Sequence, residues 1–347
     1  MYTIEECKDK SIWYSINQYH LLQSWNWGEF QRKLGRRVKR FILKRNNEIV
    51  SIFQVVLINS KFGCYIYVPN GPVFKENNPW EKNKEIHLEE YKDKFVEIIN
   101  FIKELGTKNK VQFIRIDPLF TDNEQNQQIL KELGFTKSIK EIQPGHKLVI
   151  DLGLSLDELT KSMDDSTRYR IKKGLKEGIQ IYKSTNIKND FEYFWNIYLR
   201  VKKRNSISSF EKSYYYMQLE FLKENGEYEL FLAYDQDNKI AAGAMVSFYN
   251  EMASYLHAAS DHQSKNASRV LVWEVIKEAQ RRDCKYFDFY GIARDDNNLN
   301  DPWYGFTSFK KSFGGYKKLM LSSYDMPIQK LKYKIRRLTE RILQYLK

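Results

Sequence analysis

The chain has 347 residues, is 42% hydrophobic and holds few glycines and prolines, which is enough for two domains with real cores and excludes collagen-like or Pro/Gly-rich disordered classes. Lys and Arg (57) exceed Asp and Glu (44), a formal charge of +13, so the balance leans toward a polyanion: nucleic acid, a phosphorylated substrate or an acidic membrane face. Cys7, Cys64 and Cys284 form no C-x-x-C pair, the N-terminus is acidic, and the longest apolar run, Ile49 to Ile58, is broken by Ser51 and Gln54; a soluble cytosolic chain without signal or membrane span is expected.

In chain order, helical text runs from Lys10 to Gly35, with Leu22, Trp25, Phe30 and Leu34 near helical spacing. Strands are predicted over Val38–Leu43, Ile49–Ile58 and Cys64–Val68, with Asn46-Asn47 as a hairpin turn. Then come an amphipathic helix (Glu85–Leu105), a buried strand (Val111–Ile116), a short helix (Gln125–Leu133) and a strand (His146–Asp151). The second half repeats the order of elements without repeating the sequence. Helices are predicted over Leu156–Glu177, Asp190–Lys203 and Tyr214–Asn225, followed by strands Glu229–Asp235, Lys239–Asn250 and Glu251–Ala258. Helix Val270–Asp283 and strand Lys285–Tyr290 follow, and the economical reading is an α+β duplication.

Beyond that strand lies an aromatic segment, Trp303 to Phe313, enclosing Lys310 and Lys311 ahead of Gly314-Gly315. A cation among aromatic rings has either a surface role or an anionic partner. The tail is a helix with Leu331, Ile335, Leu338, Ile342 and Leu346 in one stripe and seven basic residues against Glu340. It reads as a basic helix for a membrane surface or nucleic acid, or as a surface helix packing its stripe on the first domain, the reading preferred here.

Chemistry can be narrowed by what is missing. His20, His87, His146, His257 and His262 offer no H-E-x-x-H spacing, so no metal or other cofactor is expected; no G-x-S-x-G, Walker loop or G-x-G-x-x-G occurs. The turn that would grip a coenzyme A pyrophosphate, Asp261 to Arg269, contains no glycine, which argues against that cofactor. Asp117, ahead of Pro118, is either a general base at a strand end or the closure of a turn. The run RYRIKKGLKEG, with Arg168, Arg170, Lys172 and Lys173, is either a solvated face or a phosphate contact.

Four segments, QSWNWGEFQRKLG, FIRIDP, RYRIKKGLKEGI and FDFYGI…FTSFKKSFGG, resemble in content and order the Fem family of peptidoglycan interpeptide-bridge aminoacyltransferases, over nearly the whole chain. The resemblance implies two acetyltransferase-like (GNAT-like) α+β domains facing a substrate cleft, here residues 1–150 and 151–317, with 318–347 returning to the first. It also implies transfer of glycine, alanine or serine from aminoacyl-tRNA to the stem-peptide amine of a nucleotide- or lipid-linked precursor, with peripheral contact at the inner membrane face open. On this basis Lys310 is the cation near the developing oxyanion, Phe309 shapes its pocket, and Asp117 or the substrate itself takes the proton. Tyr214, Tyr255, His257 and Arg204 are the expected substrate contacts, and Arg168, Arg170, Lys172 and Lys173 the tRNA or phosphate contacts. The chain departs from the pattern at Phe210, where an arginine is expected, and at Gln112; the long coiled-coil arm of some members is absent. A coenzyme A-dependent N-acyltransferase and a non-catalytic RNA- or membrane-binding protein are the alternatives.

Overall fold

The computed structural model describes residues 1–16, 19–204, 209–261, 266–295, 297–299 and 303–345. Two compact units divide the chain: Met1–His146 with Lys318–Lys347, and Lys147–Lys317.

In the first unit the order is β1 (Tyr2–Glu6), α1 (Lys10–Trp13), α2 (Trp25–Lys33), β2 (Arg37–Arg45), β3 (Glu48–Ser60), β4 (Gly63–Val68) and β5 (Val73–Phe74). Then follow α3 (Lys92–Lys108), β6 (Phe113–Ile116), α4 (Glu124–Glu132) and β7 (Thr136–Lys137). The single helix expected from Lys10 to Gly35 is broken because Ser24 starts a new one, its hydroxyl accepting the Trp27 N–H at 2.9 Å. Gln23 before it ends a short 3-10 turn (Leu21–Gln23), and its amide oxygen takes the Gln54 N–H at 3.0 Å. Gly28 then lets α2 lie against β3, for a Cβ there would sit 2.0 Å from Gln54 Oε1. The QSWNWGEF text is therefore explained by close packing. Asn46 and Asn47 take φ of 51° and 68°, the left-handed pair that a two-residue hairpin between β2 and β3 needs. Phe95, Ile98, Ile99 and Ile102 of α3 are buried on one face, and α3 crosses over so that β6 runs parallel to β4 with Ile66 opposite Ile114.

The second unit repeats that plan. Its elements are β8 (His146–Asp151), α5 (Leu156–Ser162), α6 (Asp165–Lys176), β9 (Gln180–Lys183), α7 (Ile187–Arg204), α8 (Lys212–Glu224), β10 (Tyr228–Tyr234), β11 (Ile240–Tyr249) and β12 (Met252–Ser260). They continue with α9 (Ala267–Arg281), β13 (Tyr286–Gly291) and α10 (Tyr304–Lys311). The helix predicted over Leu156–Glu177 is two: Met163 is extended, with ψ 153°, and the Asp164 N–H leaves the helix to bond the Ser312 carbonyl at 3.0 Å. Antiparallel β10-β11-β12 lead through the α9 crossover to β13, parallel to β12.

Two mixed sheets result. One has the order β1-β2-β3-β4-β6-β15-β7 with β5 beside β3; the other is β14-β8-β13-β12-β11-β10-β9. Here β14 is Tyr316–Leu319, inside which the division between the units falls, and β15 is Tyr324–Pro327. Each sheet buries a separate apolar cluster, around Phe53, Phe95 and Phe120 in one and Phe287, Phe289 and Leu271 in the other, and each such side chain contributes about 1.5–3 kcal/mol on burial.

The last helix, α11 (Lys330–Tyr345), belongs to the first unit. The expectation that its apolar stripe packs on that unit is overturned, since Tyr333 and Arg336 are buried while Leu331, Ile335, Leu338 and Ile342 are exposed. Its polar face is the anchored one: the Tyr333 hydroxyl donates to Asp325 at 3.0 Å, and Arg336 Nη1 to the Ser60 hydroxyl at 3.1 Å. Leu346, the last stripe position, lies outside the described residues. Among the described residues no helix is long and apolar enough to cross a membrane.

Candidate active site

Alternation on β13 sets the site up. Phe287 and Phe289 point into the core of the second unit, and the residue between them, Asp288, is fully buried on the opposite face. A carboxylate there needs a partner, and β8 provides it: Lys147 Nζ, itself buried, donates to Asp288 Oδ2 at 2.9 Å. Tyr290 adopts the left-handed region, φ 67°, which lets its N–H donate to Asp288 Oδ1 at 2.6 Å while Lys147 Nζ lies 4.5 Å from its ring centroid.

Lys310 on α10 completes the group. Its ammonium donates to the carbonyl of Gly291. Burial pulls its pKa down to about 8, Asp288 opposing that fall and the charge on Lys147 adding to it. Among the described residues, two lysines thus face one carboxylate, a surplus of one positive charge in a partly dehydrated place. Such a charge interacts strongly with an anion that arrives or develops beside it. The helix carrying Lys310 is bolted in place: the Thr307 hydroxyl takes the Ala293 N–H at 2.7 Å, and Thr167 donates to the Ser312 hydroxyl at 2.8 Å. At Gly315, φ is 92° and a Cβ would lie 2.5 Å from the Val149 carbonyl oxygen, so only glycine allows α10 to turn back onto β8.

Beside this group the sheet parts. β12 and β13 pair only over Met252–Ser254 and Tyr286–Asp288, although β12 runs to Ser260. A bulge at Leu256 separates Tyr255, opposite Val246, from His257, opposite Met245. His257 packs edge-on against Tyr215 at 4.7 Å, and burial holds its pKa down to about 4, so it is neutral. Tyr214 stacks on Phe210 at 4.2 Å. Tyr228 is fully buried, its hydroxyl has no hydrogen-bond partner among the described residues, and its pKa is raised by burial and by the fields of Tyr214, Tyr290 and Tyr215. Phe210 therefore places a ring, stacked on Tyr214, where a cation was expected.

The remaining expected residues are dispersed. Tyr255, expected to touch substrate, packs in the apolar cluster against Phe287 and Phe289. Phe309 packs on Phe313 at 5.4 Å, with the Arg269 guanidinium over its ring at 5.3 Å. Arg204 is the exposed last residue of α7. Arg168, expected to hold phosphate, is committed to Asp165 and to the Met163 carbonyl, so it caps the end of α5. Arg170 is partly buried within the field of Arg269, whereas Lys172 and Lys173 are exposed, Lys173 lying 3.7 Å from Glu177. Asp117 lies in the first unit, buried, accepting the Tyr67 hydroxyl; burial lifts its pKa to about 6, with Ser323 and Tyr67 opposing. His262 lies outside the described residues. A surface depression of about 640 Å³ in the first unit, bordered by Glu5, Cys7 and Lys10, contains none of these side chains.

Residue-level reading missed Lys147, Asp288 and Tyr290 as a unit, and Tyr169. The alternation of FDFY announced that Asp288 faces away from the core, but Lys147 is 141 residues distant and sits in no motif. Tyr169, exposed on α6 beside Lys172, Lys173 and Lys176, was visible only as part of a basic run.

A family model described as the FemAB family matches residues 13–234 and 218–341. The chain belongs to the FemAB family. A lipid II:glycine glycyltransferase of Staphylococcus epidermidis is 22% identical over 378 aligned residues, covering 88% of this chain and 87% of that protein. That alignment is longer than this chain, so the relative carries inserted residues; here α8 ends at Glu224 and β10 starts at Tyr228 with no arm between them. The crystal structure of FemX matches with a TM-score of 0.78 at 19% identity, over 96% of this chain and all of that one. A tandem GNAT protein from the clavulanic acid biosynthesis pathway matches at 0.50 and 10% identity, over 84% and 83%. Both likenesses are of fold, and they make this FemAB member a two-unit GNAT-like α+β protein.

Proposed function

We propose that the chain is an aminoacyltransferase of peptidoglycan bridge formation, moving a small amino acid from aminoacyl-tRNA to the stem-peptide amine of a wall precursor. Family membership and the glycyltransferase activity named for the relatives support the reaction class. The observation that carries the reading into the molecule is the surplus cation of Lys147, Asp288 and Lys310, held by the F-K-x-x-F-G-G segment.

The chemistry asks little of the protein beyond placement and charge. The amine attacks the ester carbonyl carbon, a C–N bond forms, and the carbonyl oxygen becomes an oxyanion stabilised by the Lys310 ammonium. The C–O bond to the terminal ribose then breaks and its oxygen takes a proton. The amine proton passes directly to the leaving oxygen, a route supported if Asp117→Asn keeps the wild-type pH–rate profile and overturned if the acid limb is lost. The neutral His257 and the Tyr214–Phe210 stack offer uncharged surfaces for the peptide part of the acceptor. Exposed Tyr169 among Lys172, Lys173 and Lys176 suits nucleic acid, a ring for a base and ammonium groups for phosphates.

Glycine is the first donor to test, given the relatives' name, with alanine and serine beside it; a lipid-linked acceptor is the first acceptor, given the same name. The deciding experiment incubates the protein with charged tRNAs and either lipid-linked or nucleotide-linked precursor and reads the added mass. A gain matching one residue on one acceptor is the expected result; no gain on either removes the assignment.

A further inference from the structure

The outer face of α11 is apolar and uncovered. Leu331, Ile335, Leu338 and Ile342 are 72%, 59%, 60% and 50% exposed, and their spacing puts them within about 60° of one another on the helix, a stripe about 16 Å long. An apolar stripe ordinarily turns inward; here the buried positions are Tyr333 and Arg336. Arg336 sits over the rings of Tyr65 and Phe113, at 5.1 and 4.9 Å, and donates to Ser60, while Tyr333 holds Asp325. The polar side of the helix is used to fix it, and its apolar side is presented outward.

Charge decides what the stripe fits. Exposed Lys332 on one side and Lys334 and Arg341 on the other flank it, at about 70–90° from its centre. Glu340, the only acid of the helix, is turned inward and paired with Arg336 at 3.0 Å. A second copy meeting this face by two-fold symmetry would bring these cations against each other. An anionic bilayer instead lets the stripe enter the acyl boundary while the lysine and arginine stems reach up to the headgroups. We infer that α11 is a membrane-surface helix that lays the first unit on anionic lipid, whatever acceptor the chain uses.

The test is co-sedimentation of the full chain with vesicles of phosphatidylcholine alone or mixed with phosphatidylglycerol. Expected is binding to the phosphatidylglycerol vesicles that weakens with added salt. The double variant Ile335→Ser, Leu338→Ser should bind about tenfold more weakly or worse. Its thermal melt should match the parent, because both side chains are exposed. Lys332→Gln with Lys334→Gln should lose the preference for phosphatidylglycerol. Wild-type protein that stays in solution with both vesicles, or a double variant that sediments as well as the parent, overturns the inference. So does a parent dimer in solution that the double variant converts to monomer, which would give the stripe to a second copy.

Discussion

Lys310 is a lysine whose charge is available only over part of the working pH range. Its pKa is lowered to about 8 by burial, so the ammonium is present below that pH and lost as pH rises through it. If that charge stabilises the oxyanion, the alkaline limb of kcat/KM falls with a midpoint near 8. Lys310→Met should lower kcat by about 10²–10³-fold with acceptor binding kept, and Lys310→Arg should retain part of the rate and move the limb upward; unchanged transfer by Lys310→Met removes this role. Asp117 gives a second test, because its raised pKa of about 6 means that the folded state holds the proton more tightly than the unfolded chain. Stability is then present at low pH and falls as pH rises from the ordinary carboxylate value through about 6. Asp117→Asn should gain on wild type by about 2–2.5 kcal/mol between pH 4 and pH 8 in denaturant melts, and a difference independent of pH would show that the carboxyl is not desolvated as described. Lys310 was legible in the sequence because it lies inside a motif with fixed neighbours. Lys147 was not, because strand pairing across the sheet brings it to Asp288.

Elements with strong periodicity were legible, though not always their starts: α7, α8 and α9 lie within three residues of the expected bounds, whereas the helix expected from Glu85 begins at Lys92 after a 3-10 turn. Elements whose stability comes from partners far along the chain were not legible. β15 has only four residues and reads as nothing by itself, yet it sits between β6 and β7 and brings Asp325 onto Arg115 in a two-pronged pair at 2.7 and 2.8 Å. β1 is an edge strand with a mainly exposed, acidic text, so alternation gave no signal. The inverted orientation of α11 escaped for the same reason, since a helical wheel shows that a stripe exists without showing which side is anchored. Asp325 ties these parts together, accepting from Arg115 and from Tyr333 of α11 while fully enclosed. Asp325→Ala strands a buried guanidinium and should cost about 3–5 kcal/mol in the melt of the first unit. Tyr333→Phe removes one hydrogen bond to a charged group and should cost about 1.5–3 kcal/mol. Comparable losses in the two variants would mean that α11, not the ion pair, holds the sheet edge together.

On the scale of the whole molecule, the excess of +13 charges acts as a field before any contact forms. Whether that field serves a nucleic-acid partner can be decided without knowing the transferred amino acid. On α6, Thr167, Ile171 and Gly174 are buried, which leaves Tyr169, Lys172, Lys173 and Lys176 outward. Binding of tRNA should weaken linearly in log salt, with a slope set by the phosphates neutralised. Changing Lys172, Lys173 and Lys176 to glutamine should flatten that slope by about 2–3, while Tyr169→Ala should cost about 1–3 kcal/mol at any salt and leave the slope unchanged. The contrast matters because a general electrostatic attraction would respond to any three surface lysines. Lys103 and Lys108, on α3 of the first unit, together with Lys110 just beyond it, provide that control. If replacing them flattens the slope as much as the α6 triple does, the field alone binds tRNA and α6 is no interface. If only the α6 set changes the slope and only Tyr169 changes the salt-independent part, ring and ammonium groups are acting on one strand of nucleic acid at one place.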